Sequence, residues 1–145
     1  MITSIRHTGI VTDNLKASLN FYQNVLGFKI KKRMIESGVT IDNVSSLKNV
    51  RVETVKLKLG NKTDMIELLY YHSHRRKFLD KNYKISRVGI SHFAVTLKNI
   101  DRFYDSLKNK IKFTSKPRYS IDGNVKMTFC RAPEGTLIEL VHELK

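Results

Sequence analysis

The sequence predicts an α+β fold made of two βαβββ modules whose strands form a curved mixed sheet around a cavity. An internal repeat is the first reason. Ile5-Arg6-His7-Thr8-Gly9-Ile10-Val11 returns 85 residues later as Ile90-Ser91-His92-Phe93-Ala94-Val95-Thr96. At the same spacing Asn14-Leu15 returns as Asn99-Ile100, and Phe28 as Phe113. The second reason is that Met65-Ile66-Glu67-Leu68-Leu69 returns as Leu137-Ile138-Glu139-Leu140-Val141, now 72 residues on, so the later module has the shorter middle. Repetition of this kind marks a duplicated supersecondary unit. The third reason lies between the repeats: each half holds one segment of helical period and several of period two, separated by turn residues. The modules are expected at 1–71 and 88–145, joined by a linker at 72–87, as one compact domain.

In the first module, residues 4–11 read as a strand. Asp13 or Asn14 can cap a helix over about 15–26, in which Leu15, Leu19, Tyr22 and Leu26 recur at helical spacing. Gly27 stands where a helix stops. Residues 28–35 read as a strand and the polar stretch 36–49 as a loop or irregular extension of it. Residues 51–59 and 64–71 form a hairpin turned by Gly60-Asn61. The second module repeats the series: strand 89–97, a helix from about 99 to 110, then strands near 112–120, 124–131 and 136–143. Asp122-Gly123 and Pro133-Glu134-Gly135 supply its turns. The linker is basic and polar, with a short helix expected at 74–80.

Alternation along each strand sorts the side chains by face. His7 opposes Thr8 and Ile10; His92 opposes Phe93 and Val95; Glu67 opposes Ile66 and Leu68; Glu139 opposes Ile138 and Leu140. The branched and aromatic residues suit the helix-covered face. All four polar side chains therefore point the other way, toward the cavity.

Two imidazoles and two carboxylates in equivalent places of duplicated modules can converge by pseudo-twofold symmetry. That donor set suits a borderline divalent ion such as Zn, Ni, Co, Mn or Fe, and it leaves a position open for water or substrate, as a catalytic site needs. A single histidine on a strand is as a rule an ordinary hydrogen-bonded residue. A glutamate between apolar neighbours is less ordinary, because an unpaired buried carboxylate is costly. Two such glutamates, each matched by a histidine, make the expected cavity a metal-containing one, with His7, Glu67, His92 and Glu139 as its ligands.

The other features narrow the function. Of the 145 residues 27 are Lys or Arg and 13 Asp or Glu, a formal charge of +14 that attracts phosphates or nucleic acid. The lysines are scattered, however, and in Val55-Lys56-Leu57-Lys58-Leu59 they alternate as on a solvated strand face, which counts against nucleic acid. The one cysteine, Cys130, permits no internal disulfide and suits a reducing compartment; no apolar run is long enough for a membrane span, and a cytoplasmic location is expected. Cys130 reads as a buried structural thiol. No phosphate-binding glycine loop, nucleophile elbow or zinc-finger spacing occurs. Glu36 and Glu53 are secondary candidates for a non-ligand base, with surface positions as the plainer reading. His72 and His74 read as loop residues, His142 as lying outside the cavity, and Arg75, Arg76 and Lys77 as partners for a substrate phosphate.

His7-Thr8-Gly9-Ile10-Val11, followed by Asp13-Asn14-Leu15, Ser18, Phe21-Tyr22 and Leu26-Gly27-Phe28, resembles the opening of vicinal-oxygen-chelate proteins. Ala132-Pro133-Glu134-Gly135 leading into Ile138-Glu139-Leu140 resembles their ending. The resemblance spans nearly the whole chain. It implies metal binding at His7, Glu67, His92 and Glu139 and a homodimer. The ligand set is similar to that of glyoxalase I, whereas methylmalonyl-CoA epimerases commonly carry glutamine at the position of Glu67. After Glu67, however, the chain runs Leu68-Leu69-Tyr70-Tyr71, without the asparagine usual in glyoxalase I, and no glutathione-binding arginines can be placed. Both isomerases move a proton α to a carbonyl or thioester through a metal-stabilised enolate, which implies Glu139, then Glu67, as the base. The expected substrate is a small molecule, phosphate-bearing or a thioester. The alternatives are an extradiol dioxygenase or antibiotic-resistance protein, which use three ligands, and a metal-free binding protein on the same scaffold.

Overall fold

In the computed structural model, which describes residues 1–60, 64–75 and 80–144, the chain divides into two units, Met1–Leu79 and Asp80–Lys145. The first contains β1 (Thr8–Val11), α1 (Leu15–Asn20), β2 (Lys29–Ser37), α2 (Val39–Ser45), β3 (Arg51–Lys58) and β4 (Met65–Tyr71). Its sheet has the order β1-β4-β3-β2, with β1 parallel to β4 and the other pairs antiparallel. Asn14 starts α1: its side-chain oxygen accepts from the Ala17 amide at 3.0 Å, satisfying a donor the helix leaves open. The helix loosens into a π-turn over Phe21–Val25 and stops at Gly27, whose φ of +79° favours glycine.

The unit's core follows from period two. Val55 and Leu57 on β3 and Ile66 and Leu68 on β4 are buried, with register pairs Val55–Leu68 and Leu57–Ile66. Tyr22 is fully buried and meets Phe21 and Phe28 edge-on, with ring centroids 5.4 and 6.1 Å apart. Each such side chain contributes about 1.5–3 kcal/mol by leaving water. β2, the sheet edge, keeps its lysines in solvent, which discourages pairing with another strand.

Residues 36–49 differ from expectation by holding the helix α2. Its sequence, VTIDNVS, is rich in β-branched residues and gives no helical signal. Tertiary bonds stabilise it instead: the Asp42 carboxylate accepts from the Asn49 and Val50 amides at 2.8 and 2.7 Å. The first strand is shorter than expected, so His7 stands just before β1. Asn61 of the expected turn, and much of the expected helix at 74–80, lie outside the described residues.

The second unit contains β5 (His92–Thr96), α3 (Ile100–Leu107), β6 (Lys112–Phe113), β7 (Arg118–Tyr119), β8 (Val125–Arg131) and β9 (Leu137–Glu143). Its sheet runs β5-β9-β8-β6, β7 also pairing with β8, and β5 is parallel to β9. Asn99 caps α3 as Asn14 caps α1, accepting from the Arg102 amide at 2.9 Å. The expected strand 112–120 is split into β6 and β7 around Pro117, which has no amide to donate.

Residues 80–87, read from the sequence as linker, are tied to this unit. Arg131 donates to the carbonyls of Lys81, Gly135 and Tyr83, each at 2.9 Å, and the buried Tyr83 donates its hydroxyl to Ser91 O at 2.9 Å. Gly135, with φ +98°, passes so close that an added Cβ would stand 3.0 Å from the Lys81 backbone. Among the described residues no helix is long and apolar enough to cross a membrane.

Candidate functional site

The duplicated histidines and glutamates occupy the same register position in both modules. In the first unit Gly9 on β1 pairs with Glu67 on β4, and His7 stands two residues before Gly9. In the second, Ala94 on β5 pairs with Glu139 on β9, and His92 stands two residues before Ala94. A two-residue step keeps a side chain on the same sheet face, so each histidine leans along its strand toward its glutamate. His7 Nε2 lies 3.2 Å from Glu67 Oε2, and His92 Nε2 lies 3.3 Å from Glu139 Oε2. All four side chains are partly buried, with the carboxylates the more enclosed at 12% exposed for Glu67 and 21% for Glu139.

Those spacings fit shared coordination. Donors bound to one ion at about 2.1 Å stand roughly 3.0–3.4 Å apart in tetrahedral or octahedral shells. Each unit thus offers two donors. Among the described residues, no group of three or more His, Cys, Asp or Glu side chains is gathered that could hold an ion.

The two pairs differ in their surroundings. Nδ1 of His92 has Ser91 Oγ at 2.6 Å, an outer partner of the kind that orients a ligating ring, and Phe129 meets the ring edge-on at 5.1 Å. Nδ1 of His7 is buried and, among the described residues, has no hydrogen-bond partner. Opposite Glu67 across the β3–β4 ladder stands Lys56, whose Nζ is 3.6 Å from Glu67 Oε1. The residue opposite Glu139 across β8–β9 is Phe129.

Lys56 corrects the reading of β3 as a solvated lysine face: its side chain is only 23% exposed and is directed at a carboxylate. Alternation shows which residues share a face, but the charge facing Lys56 is fixed by the register with β4. Phe129 was missed for the same reason; Ser91 was missed although it adjoins a flagged histidine, its contact being local.

The secondary candidates are structurally engaged. Glu53 is bonded by Arg33 and has His72 Nε2 at 3.3 Å. The Arg33 hydrogen bond, above all, holds its carboxyl below the ordinary glutamate value, against a smaller opposing effect of burial. Glu36 accepts from the buried Thr54 hydroxyl at 3.2 Å. Cys130 is fully buried and its thiol is pushed up to about 12 by desolvation, which makes it inert as a nucleophile. The first unit also has a cleft of about 670 Å³ at the C-terminal ends of β1 and β4, bounded by Val11, Leu47, Tyr71 and His74, where the Arg75 guanidinium lies 4.9 Å over the Tyr70 ring. Arg76 and Lys77, the other two basic candidates, lie outside the described residues.

Comparison with known proteins matches this architecture. A glyoxalase family protein from Bacillus cereus aligns over 100% of this chain and 97% of its own, with 19% identity and a TM-score of 0.89. The trypanothione-dependent glyoxalase I of Leishmania major aligns over 98% of this chain and 88% of its own, at 23% identity and TM-score 0.66. Glyoxalase I from Zea mays aligns over 97% of this chain but 44% of its own, at 20% identity and TM-score 0.69. No curated protein matches in sequence. The family model of the Glyoxalase/Bleomycin resistance protein/Dioxygenase superfamily covers residues 4–140, and the chain, with its paired modules, belongs to that superfamily.

Proposed function

We propose that this chain is a metal-dependent lyase or isomerase of glyoxalase or epimerase type, moving a proton at the carbon next to a carbonyl or thioester. One observation carries the reading: a histidine and a glutamate within 3.2 Å in one module and 3.3 Å in the other, at the same place in each ladder. His7, Glu67, His92 and Glu139 would hold a divalent ion, Zn, Ni, Co, Mn or Fe. The two pairs give the same donor set whether one chain supplies both or two copies in a homodimer share them. When bound, such an ion polarises the substrate oxygen and stabilises the charge left as the α-proton departs. Glu139 and Glu67 are the groups that take and return that proton, being carboxylates on the same face as the histidines. His92, fixed by Ser91, orients its half of the site. The substrate is a small molecule, phosphate-bearing or a thioester, and Arg75 beside the cleft is a recognition group for its anionic part.

Metal analysis of protein purified without chelator or affinity tag tests the reading. We expect about one ion per chain, lost in both His7→Ala and Glu139→Ala. The ion-loaded protein should also exchange solvent deuterium into the α-position of a thioester or hemithioacetal from a small panel. A wild type that stays metal-free after dialysis against each candidate ion ends the proposal. It would leave the second reading, a metal-free binding protein, in which each His–Glu contact is a plain ion pair.

A further inference from the structure

We infer that four lysines of the first sheet, Lys29, Lys32, Lys56 and Lys58, form a seat for a phosphate or diphosphate group on the face that carries Glu67. This rests on the proposed function in one respect: the anion seated there is the substrate's own, which makes the substrate a small phosphorylated carbonyl compound. The strand register carries the inference. Across the β2–β3 ladder Lys29 stands directly opposite Lys58, and Lys32 directly opposite Lys56. The register shift between Ile30 and Lys32 takes up Lys31 as the extra residue, so both pairs fall on one face. On β4, Lys56 faces Glu67, and Lys58 faces Met65 two residues earlier, so that face is also Glu67's. The buried Val55 and Leu57 point the other way.

Like charges directly opposite each other destabilise a sheet, and here two such pairs are adjacent. Edge protection accounts for only half of them. Lys29 and Lys32 lie on the edge strand β2, but Lys56 and Lys58 lie on β3, between β2 and β4, and guard no edge. Carboxylates do not quench the set either. Lys56 Nζ has Glu67 Oε1 at 3.6 Å, whereas among the described residues Lys29, Lys32 and Lys58 have no ion pair. The second module shows the same positions without such a cluster. Phe129 stands where Lys56 does, and the counterpart of Lys58 is Arg131, whose guanidinium is taken up by three carbonyls. The dimensions suit a small anion. Lys56 and Lys58 are about 7 Å apart along β3, and each cross-strand pair about 5 Å apart, so flexible ammonium stems can converge on one phosphate or diphosphate. The seat begins at the residue facing Glu67, which sets the phosphate within a few bonds of the carbon where that carboxylate acts. Arg75, at the other end of β4, is the competing seat.

Titration calorimetry of inorganic diphosphate on the metal-stripped full chain, in buffer containing chelator, tests the seat apart from any ion. Lys29→Met and Lys58→Met should each weaken binding about five-fold, the scale of one exposed charge pair. Glu67→Gln, which frees Lys56, should tighten it. Thermal melts show that the variants are folded, and each lysine variant should melt at or above wild type because it relieves a repulsion. A wild type that ignores diphosphate, lysine variants that bind it as wild type does, an unaltered affinity in Glu67→Gln, or a loss confined to Arg75→Ala overturns the inference and leaves the proposed function standing. Tighter binding of a mixed-sequence oligonucleotide than of diphosphate, lost in the same lysine variants, overturns it in favour of a nucleic-acid surface. Diphosphate binding with the expected variant effects, in a protein that takes up no divalent ion, keeps the seat and ends the lyase or isomerase reading.

Discussion

At the scale of single residues, the sequence marked candidate groups where it repeated and concealed their partners where it did not. His7, Glu67, His92 and Glu139 stood out as candidates because duplication set each glutamate between the same Ile and Leu neighbours and each histidine two residues after an isoleucine at the head of its module. Glu53 stood out as a secondary candidate base, but its partners were hidden, since Arg33 sits 20 residues away on β2 and His72 beyond β4. The consequence is a pH dependence. Glu53 has its folded pKa below the ordinary glutamate value, so its contribution is present above that ordinary value and is lost as pH falls through the folded pKa. Arg33→Ala should therefore weaken the protein at pH 6 by less than about 1 kcal/mol, Arg33 being half exposed, and by less still at pH 3. Urea melts at both pH values measure this. Equal losses at the two would show that Arg33 acts by packing rather than through the carboxylate.

At the scale of elements, strands of clear period two were placed well, and helix starts were placed by asparagine. Asn14 and Asn99 occupy equivalent positions and make the same bond, to Ala17 N and Arg102 N respectively. Replacing either with alanine should cost about 1 kcal/mol, and replacement with aspartate should preserve most of it. Denaturant midpoints at constant slope would read the change, and an unaltered midpoint in both alanine variants would show that the caps are dispensable. What the pattern hid was α2 and the break between β6 and β7. The helix α2 is not marked by helical periodicity and needs the Asp42 carboxylate to reach Asn49 and Val50, whereas the break was written locally in Pro117, a residue without a donor.

At the scale of the whole molecule, composition bounded the possibilities and the repeat supplied the architecture. Each unit carries the same parallel pairing of its first and last strands, β1 with β4 and β5 with β9. Cys130 gives a probe of the second unit's integrity. Its thiol is buried and pushed up to about 12, so alkylation at neutral pH must await an opening of β8. Labelling should be slow in native buffer and should accelerate with the same denaturant dependence as unfolding. Prompt labelling of native protein would contradict the burial. The three carbonyls gathered by Arg131 have a last consequence, for dissection of the molecule. A fragment of the second module begun at residue 88 would lack the Lys81 and Tyr83 carbonyls and leave the Leu137 amide without the Tyr83 oxygen at 3.2 Å. A cut ahead of Asp80 keeps these groups together, so a fragment that retains the unit's own hydrogen bonds starts well upstream of its first strand.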